Sequence, residues 1–276
     1  MGGDAALRRP ARKTNQGAAF TPCHYPPILS SIKSQTRANY GIDAPQVVLR
    51  LFVFGAMAIS LAIASRAFLG PRQPWFLIGL GSGISMLLTA IIMLWGSKVG
   101  KISLREGVLD RLSLRGDEVV LDIGCGRGLF LVGAARRLNT GRAFGIDLWK
   151  TEDQSGNSPQ TTLENARAEE VASRVEIKTG DARQLPFETN TFDIIVSSWA
   201  LHNIYHPEER AKALRQIARV LKPGGRLAII DIRHTAEYVG VLRAAGIEEV
   251  RRTGPNFVFF IPSFILWGKK QPLPGP

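Results

Sequence analysis

A chain of 276 residues that is 45% hydrophobic can bury one substantial core and carry a smaller attachment. Its formal charge of +12 is dispersed: six Lys/Arg face two Asp/Glu before residue 47, and 26 face 21 in residues 97–276. Next to the apolar segments described below, that spread argues against nucleic acid as a partner and fits a solvated surface beside anionic lipid. The two cysteines, Cys23 and Cys125, argue against a disulfide framework and fit a reducing compartment, since Cys125 lies in a glycine turn.

Residues 1–46 are polar, basic and rich in Pro, Ser and Thr. They hold too few apolar groups to offset ordering entropy, and the expectation is a flexible or loosely surface-bound segment. Residues 47–96 then read as two transmembrane helices, about 47–66 and 75–95. LFVFGAMAISLAIAS (51–65) has no charge, and WFLIGLGSGISMLLTAIIMLW (75–95) has none over 21 residues, with a Trp at each end. A helix of that length rises about 30 Å and crosses the hydrocarbon core, with terminal Trp suited to the interface. A pair of buried core helices is the competing reading, but neither segment has a polar face. Gly55, Ala58, Ala62 and the GSG at 81–83 allow the two helices to pack closely. The short link AFLGPRQP (67–74) makes them a hairpin. Lys33, Arg37, Arg50, Lys98, Lys101 and Arg105 on the outer flanks, against Arg66 and Arg72 in the link, place both ends in the cytoplasm. The expected location is therefore a two-span membrane protein with a cytoplasmic domain over 97–276.

From residue 116 strand and helix signals alternate. Strands are predicted at 119–124, 142–149, 174–181, 192–201, 226–232, 247–253 and 256–268, with helices at 129–139, 161–171, 207–221 and 236–246. KPGG (222–225) reads as the stop of the third of these helices, and GPN (254–256) as a tight link between the last two strands. Strands separated by helices argue for right-handed βαβ units and a seven-stranded, mostly parallel α/β sheet whose last strand is antiparallel.

In such a sheet, ligands lie beyond the carboxyl ends of the strands. VVLDIGCGRGLF (119–130) ends the first strand in Gly124, Gly126 and Gly128, which lets backbone approach a ligand closely. Position 129 is Leu where a dinucleotide fingerprint has a third glycine, and Asp122 favours a cationic or amine-bearing ligand over phosphate. Asp147 ends the second strand, where a carboxylate takes a ribose diol. Asp181 follows the third in GDARQLPF, where it can accept the amino group of a base. Leu148 or Trp149 can cover a purine face, and Trp149 suits a plain hydrophobic contact equally well.

LDIGCGRG, GID, GDARQLPF, FDIIVSSWALHNI and LKPGGRLAIID, in this order, resemble the class I S-adenosylmethionine-dependent methyltransferases, over about residues 100–270. Within that superfamily the chain looks like the small-molecule or lipid-type branch. The resemblance implies a Rossmann-like fold and S-adenosyl-L-methionine as cofactor. It implies that Asp122 and the loop Gly124, Cys125, Gly126 and Gly128 hold the methionine moiety. Asp147 would take the ribose hydroxyls, Leu148, Asp181 and Ala182 the adenine, and Ser197 would line the pocket near the sulfonium. SSWA stands where amino-methylating enzymes carry an NPPY-type motif, which argues against that class.

Methyl transfer needs positioning more than machinery, and a base is optional. His202 is placed to face the acceptor, with Tyr205 nearby, and each reads equally as a packing residue. The polar crossover TEDQSGNSPQ (151–160) is either part of an acceptor lip or a solvated loop. His24, His202, His206, His234 and Cys125 have poor metal-ligand spacing, and no metal is expected. The leading expectation is methylation of a lipid, quinone-like or other apolar or amphipathic small molecule, with membrane lipids as neighbours. Anchored methylation of a soluble acceptor or protein, and an inactive cofactor-binding scaffold, are the alternatives. The methylated atom and the oligomeric state are not legible.

Overall fold

The computed structural model describes residues 38–70, 74–150, 156–258 and 261–272. Two long apolar helices come first, α1 (Pro45–Leu69) and α2 (Trp75–Trp95). Pro45 opens α1 at a position where its missing N–H costs nothing, and Gly70 closes it with φ 88°. The helices pack against each other through small residues. A Cβ on Gly83 would lie 2.7 Å from the Gly55 carbonyl oxygen, so only glycine lets the backbones approach this closely there. Most of the remaining apolar surface points outward, including Leu61 at 63% exposure, Leu77 at 70% and Leu88 at 53%.

The second helix does not stop at Trp95. It passes through one π-helical turn, Gly96–Gly100, into α3 (Lys101–Leu112). Leu104, Val108, Leu109 and Leu112 recur at helical spacing and are buried, so α3 packs its apolar face into the core of the following domain.

That domain continues with β1 (Val119–Ile123), α4 (Leu129–Ala135), β2 (Arg142–Asp147), α5 (Pro159–Ala168), β3 (Val175–Thr179), β4 (Phe192–Ser198), α6 (Pro207–Val220), β5 (Leu221–Asp231), α7 (Thr235–Ala244), β6 (Ile247–Asn256) and β7 (Ser263–Lys270). The seven strands run in the order β3-β2-β1-β4-β5-β7-β6. Pairs through β5 are parallel, and β7 is antiparallel to both β5 and β6. Strand alternation serves two cores. Val120, Ile194 and Ala228 face α3, α4 and α5, while Leu121, Ile195 and Leu227 face α6 and α7. Burial on both faces explains the nearly unbroken apolar runs of β1 and β4.

The expected α/β sheet with an antiparallel last strand is present. Several boundaries differ. KPGG belongs to β5: Leu221 already pairs with Phe192, the register then shifts, and pairing resumes at Arg226 with Ile194. The four residues are a bulge and not a helix stop, with Gly224 at φ 77°. GPN likewise lies inside β6, and β7 begins at Ser263 instead of residue 256. Residues 38–44 are not loose, contrary to the expectation for 1–46. The Asn39 N–H donates to Asn165 Oδ1 at 2.9 Å, and Lys101 Nζ donates to the carbonyls of Tyr40 and Gly41 at 2.8 and 3.1 Å and to Asp43 Oδ2 at 2.8 Å. Residues 1–37, with Cys23, His24, Lys33 and Arg37, lie outside the described residues, as do 71–73 and 151–155.

Candidate active site

The carboxyl ends of β1, β2, β4 and β5 converge on one cavity of about 590 Å³, a size ordinary for small-molecule sites. Past β1, Gly124, Gly126 and Gly128 all have positive φ. At Gly124 the requirement is also steric, because a Cβ there would lie 2.2 Å from the Ala200 Cβ. The Gly124 and Cys125 N–H groups donate to the Ile146 carbonyl at 2.8 and 3.2 Å, which lays the loop over the end of β2. Cys125 is buried beneath it, and burial pushes its thiol well above the ordinary range.

Asp147, the last residue of β2, accepts from the Gly126 N–H at 2.8 Å and from the Trp149 N–H at 2.7 Å. Asn157 Nδ2 adds a contact at 3.3 Å. A carboxylate therefore occupies the loop amide that a diphosphate would need. Asp122 lies deeper, 2% exposed, accepting from the Leu131 N–H at 2.8 Å. Desolvation pushes its carboxyl up to about 8, with the nearby Asp147 charge adding to the rise. Asp181 accepts from the Arg183 N–H at 2.8 Å and pairs with its guanidinium, which holds the carboxyl below its usual range. Arg183 reaches on to Glu209 at 3.1 Å.

Asp122, Gly124, Cys125, Gly126, Asp147, Leu148, Asp181, Ala182, His202 and Tyr205 all line this cavity. Gly128 instead turns the chain into α4, with a would-be Cβ 3.0 Å from Thr162. Ser197 needs correction. It is 1% exposed, and its hydroxyl donates to the Ile123 carbonyl at 2.9 Å, while the neighbouring Ser198 takes the place on the cavity wall. The β4 pleat turns successive side chains to opposite faces, and the expectation was one residue out of phase. Trp149 sits at the edge of the core with Nε1 2.9 Å from Thr179 Oγ1 and does not line the cavity. In the crossover at 151–160, Ser158 caps α5 by accepting from the Thr161 N–H at 3.1 Å.

His202 lies in a short helical turn after β4. Its Nδ1 is 2.5 Å from Asp231 Oδ1, and its own N–H donates to Oδ2 at 2.9 Å. The Ile232 N–H at 2.8 Å and the Tyr238 hydroxyl at 3.2 Å complete the donors around Asp231, which is 0% exposed. Burial, with the Asp231 charge, pushes the Tyr238 phenol up, so it stays a donor. An acceptor surrounded by donors fixes the proton of the neutral imidazole on Nδ1 and leaves the lone pair on Nε2. Tyr205 is 86% exposed and stands at the rim. Its carbonyl and that of Ile204 are held at 2.8 Å by Nη1 of the buried Arg210.

Asp231 and Tyr238 were not singled out from the sequence. The signal was available for Asp231, an acid at the carboxyl end of β5 just as Asp147 is at that of β2. Tyr238 has no such mark, since its role comes from where α7 packs.

The family described as "Methyltransferase domain" matches residues 121–229. A 27-O-demethylrifamycin SV methyltransferase from Amycolatopsis mediterranei (strain S699) is 31% identical over 193 residues, 65% of this chain and 66% of that protein. A ubiquinone/menaquinone biosynthesis C-methyltransferase from Ruegeria sp. (strain TM1040) is 33% identical over 127 residues, 46% of this chain and 47% of that protein. The chain spans about half the length of most of these curated relatives. Among solved structures, that of the cyclase SpnF is similar with a TM-score of 0.50 at 21% identity, covering 79% of this chain and 95% of that one, a likeness of fold alone. The donor set agrees with the family match: three carboxylates beside a glycine loop suit an amine, a ribose diol and an adenine amino group, and reject a diphosphate. The sheet order, the matched segment and this donor set make the part after α2 a methyltransferase domain, a family and fold that imply S-adenosylmethionine as the methyl donor.

Proposed function

We propose that the chain transfers a methyl group from S-adenosylmethionine to a hydroxyl-bearing apolar or amphipathic small molecule, at a membrane entered by the α1–α2 hairpin. The observation that carries this reading is the His202–Asp231 pair on the wall of the same cavity as the glycine loop and Asp147. A sulfonium methyl group needs no activation, so a histidine held in one tautomer is useful chiefly where the acceptor must lose a proton. The relatives named for a rifamycin and for quinones point to sizeable, largely apolar acceptors. The outward apolar surface of α1 and α2 favours lipid contact over a buried core pair. The excess of Lys and Arg on the outer flanks of the hairpin favours the cytoplasmic side for the catalytic domain.

Within this reading, Asp122 and the loop of Gly124 to Gly128 hold the methionine end, Asp147 the ribose hydroxyls, and Leu148, Asp181 and Ala182 the adenine. His202 Nε2 takes the acceptor hydroxyl proton as the oxygen attacks, and Asp231 stabilises the imidazolium that forms. Bound there, the cofactor would supply an electrophilic methyl carbon on a sulfur able to accept the C–S bonding pair. Arg210 fixes the 204–205 backbone, and with it that part of the cavity wall. Tyr205, at the rim, guides the acceptor and takes no proton.

The test uses the whole chain purified in detergent. Calorimetric titration with S-adenosylmethionine is expected to show one site, lost in Asp147→Ala. Radiolabelled methyl transfer into extracted native membranes is expected to mark the lipid fraction. Binding without lipid label would redirect the acceptor to soluble molecules, and no binding by the folded chain would overturn the proposal.

A further inference from the structure

We propose that the acceptor enters the catalytic cavity sideways from the bilayer, through a portal where the ends of the helical hairpin meet the β6–β7 connection. The inference rests on the membrane reading above and deepens it by fixing how an apolar substrate reaches His202.

The cavity does not end at the catalytic domain. Ala44, just before α1, Met93 in the last turn of α2, and Ile261 between β6 and β7 line the same space as His202 and Asp147. Ala44 and Met93 lie at one end of the hairpin, the end joined to the domain, where the Asp43 N–H donates to Ser97 Oγ at 3.0 Å. Val258, which follows β6, is docked on that end. A Cβ on Gly100 would lie 2.8 Å from Val258 Cγ1 and 3.2 Å from the Trp95 ring, so loop and helix are in direct contact. Beside this contact, Phe257 at 60%, Ile261 at 47% and Trp95 at 43% leave apolar surface exposed at the level where α2 leaves the span.

The two ends of the cavity differ in chemistry. Asp122, Asp147 and Asp181 line the cavity at the carboxyl ends of the strands, whereas Met93 and Ile261 line it with Ala44 beside the helices. The cations Lys101 and Arg127 also line that second end: the Lys101 ammonium is spent on Tyr40, Gly41 and Asp43, and Arg127 Nε donates to the Asn39 carbonyl at 3.0 Å. The site thus presents His202 to a hydroxyl, and Met93 and Ile261 offer apolar wall where a tail would trail toward lipid. An amphiphile lying in the leaflet has that same division, with its polar head at the interface.

The test incorporates the full chain in phosphatidylcholine vesicles with a long-chain phenol carrying a diazirine on its tail. After irradiation, adducts are mapped by peptide mass spectrometry. Labelling of Met93 and Ile261, competed by the same phenol without the diazirine, is expected alongside uncompeted labelling of the outward Leu61 and Leu88. Met93→Trp and Ile261→Trp are expected to cut the competed labelling at least fivefold, with the affinity for S-adenosylmethionine changed less than twofold. Adducts at Leu61 and Leu88 with none competed at Met93 or Ile261 would overturn the portal and leave the membrane reading intact. No adducts at any of the four, with cofactor binding preserved, would overturn the insertion on which the portal depends.

Discussion

Asp231 holds His202 by two bonds at once, Oδ1 to the ring Nδ1 at 2.5 Å and Oδ2 to the backbone N–H at 2.9 Å. One buried carboxylate therefore sets both the position of the turn after β4 and the tautomer of the ring it carries. His202→Ala is expected to lower kcat by about 10²–10⁴-fold, the usual worth of a positioned base. Asp231→Asn keeps the shape but offers an amide N–H where the ring must donate, and an effect of similar size is expected. Both variants should bind S-adenosylmethionine as the parent does in calorimetry. Full single-turnover methyl transfer by His202→Ala would remove the base from the mechanism.

The Asp122 carboxyl is shifted from its usual 3.8 to about 8 by burial. In the unfolded chain the group has the ordinary value, so between about pH 4 and pH 8 the native state holds a proton that the unfolded state releases. Unfolded protein then binds fewer protons, and this contribution to stability falls as pH rises through that window. Asp122→Asn carries no titrating proton. The unfolding midpoint of the parent is expected to drop relative to this variant between pH 5 and pH 8, with a protonated-carboxyl infrared band at pH 6 present in the parent alone. Parallel stability profiles would mean that Asp122 is ionised throughout.

Gly124 combines φ 69° with a would-be Cβ 2.2 Å from Ala200 Cβ. Gly124→Ala is expected to cost about 1–2 kcal/mol for the left-handed backbone and about 1–3 kcal/mol for overpacking, and to weaken cofactor binding. Gly246 has a similar φ of 83° with nothing within 4 Å. Gly246→Ala should lose only the backbone part and bind normally, so denaturation and calorimetry on the pair separate the two costs.

Lys101 is 2% exposed, and its partner Asp43 is 31% exposed. Lys101→Met strands two carbonyls and a partly buried carboxylate. The expected loss is about 1–3 kcal/mol, below the cost of breaking a fully buried pair because water still reaches Asp43. Limited proteolysis should show earlier cleavage within residues 38–44, and an unchanged cleavage pattern would argue that Asn39 and its partners hold this stretch unaided.

Patterns that live within one element were readable. The apolar runs of β1 and β4, the carboxylates at the strand ends and the two apolar helices all follow from local periodicity and from where ligands sit on a parallel sheet. Features created by distant partners were not. Residues 38–44 look like a polar tail until Asn165 and Lys101 are brought beside them. Asp231 carries the mark of a strand-end acid, but nothing local ties it to His202, 29 positions earlier. KPGG looks like a helix stop because Gly224 takes a turn conformation, and only the pairing of Leu221 with Phe192 shows the strand already under way. Ser197 was misplaced by a single step of the β4 pleat.

The apolar helix α2 runs on past Trp95 into the helix that buries Leu104, Val108 and Leu109 in the catalytic domain. A flexible tether would let an enzyme roam over a hemisphere above its anchor. If the hairpin is inserted as proposed, it would act as an axle: the mouth of the active site would keep one height and one bearing relative to the leaflet. A change in hydrocarbon thickness that tilts α2 would tilt the catalytic domain with it. On the proposed membrane reading, bilayer thickness would become a mechanical input to catalysis, carried by 21 residues of α2 and the π-turn at its end.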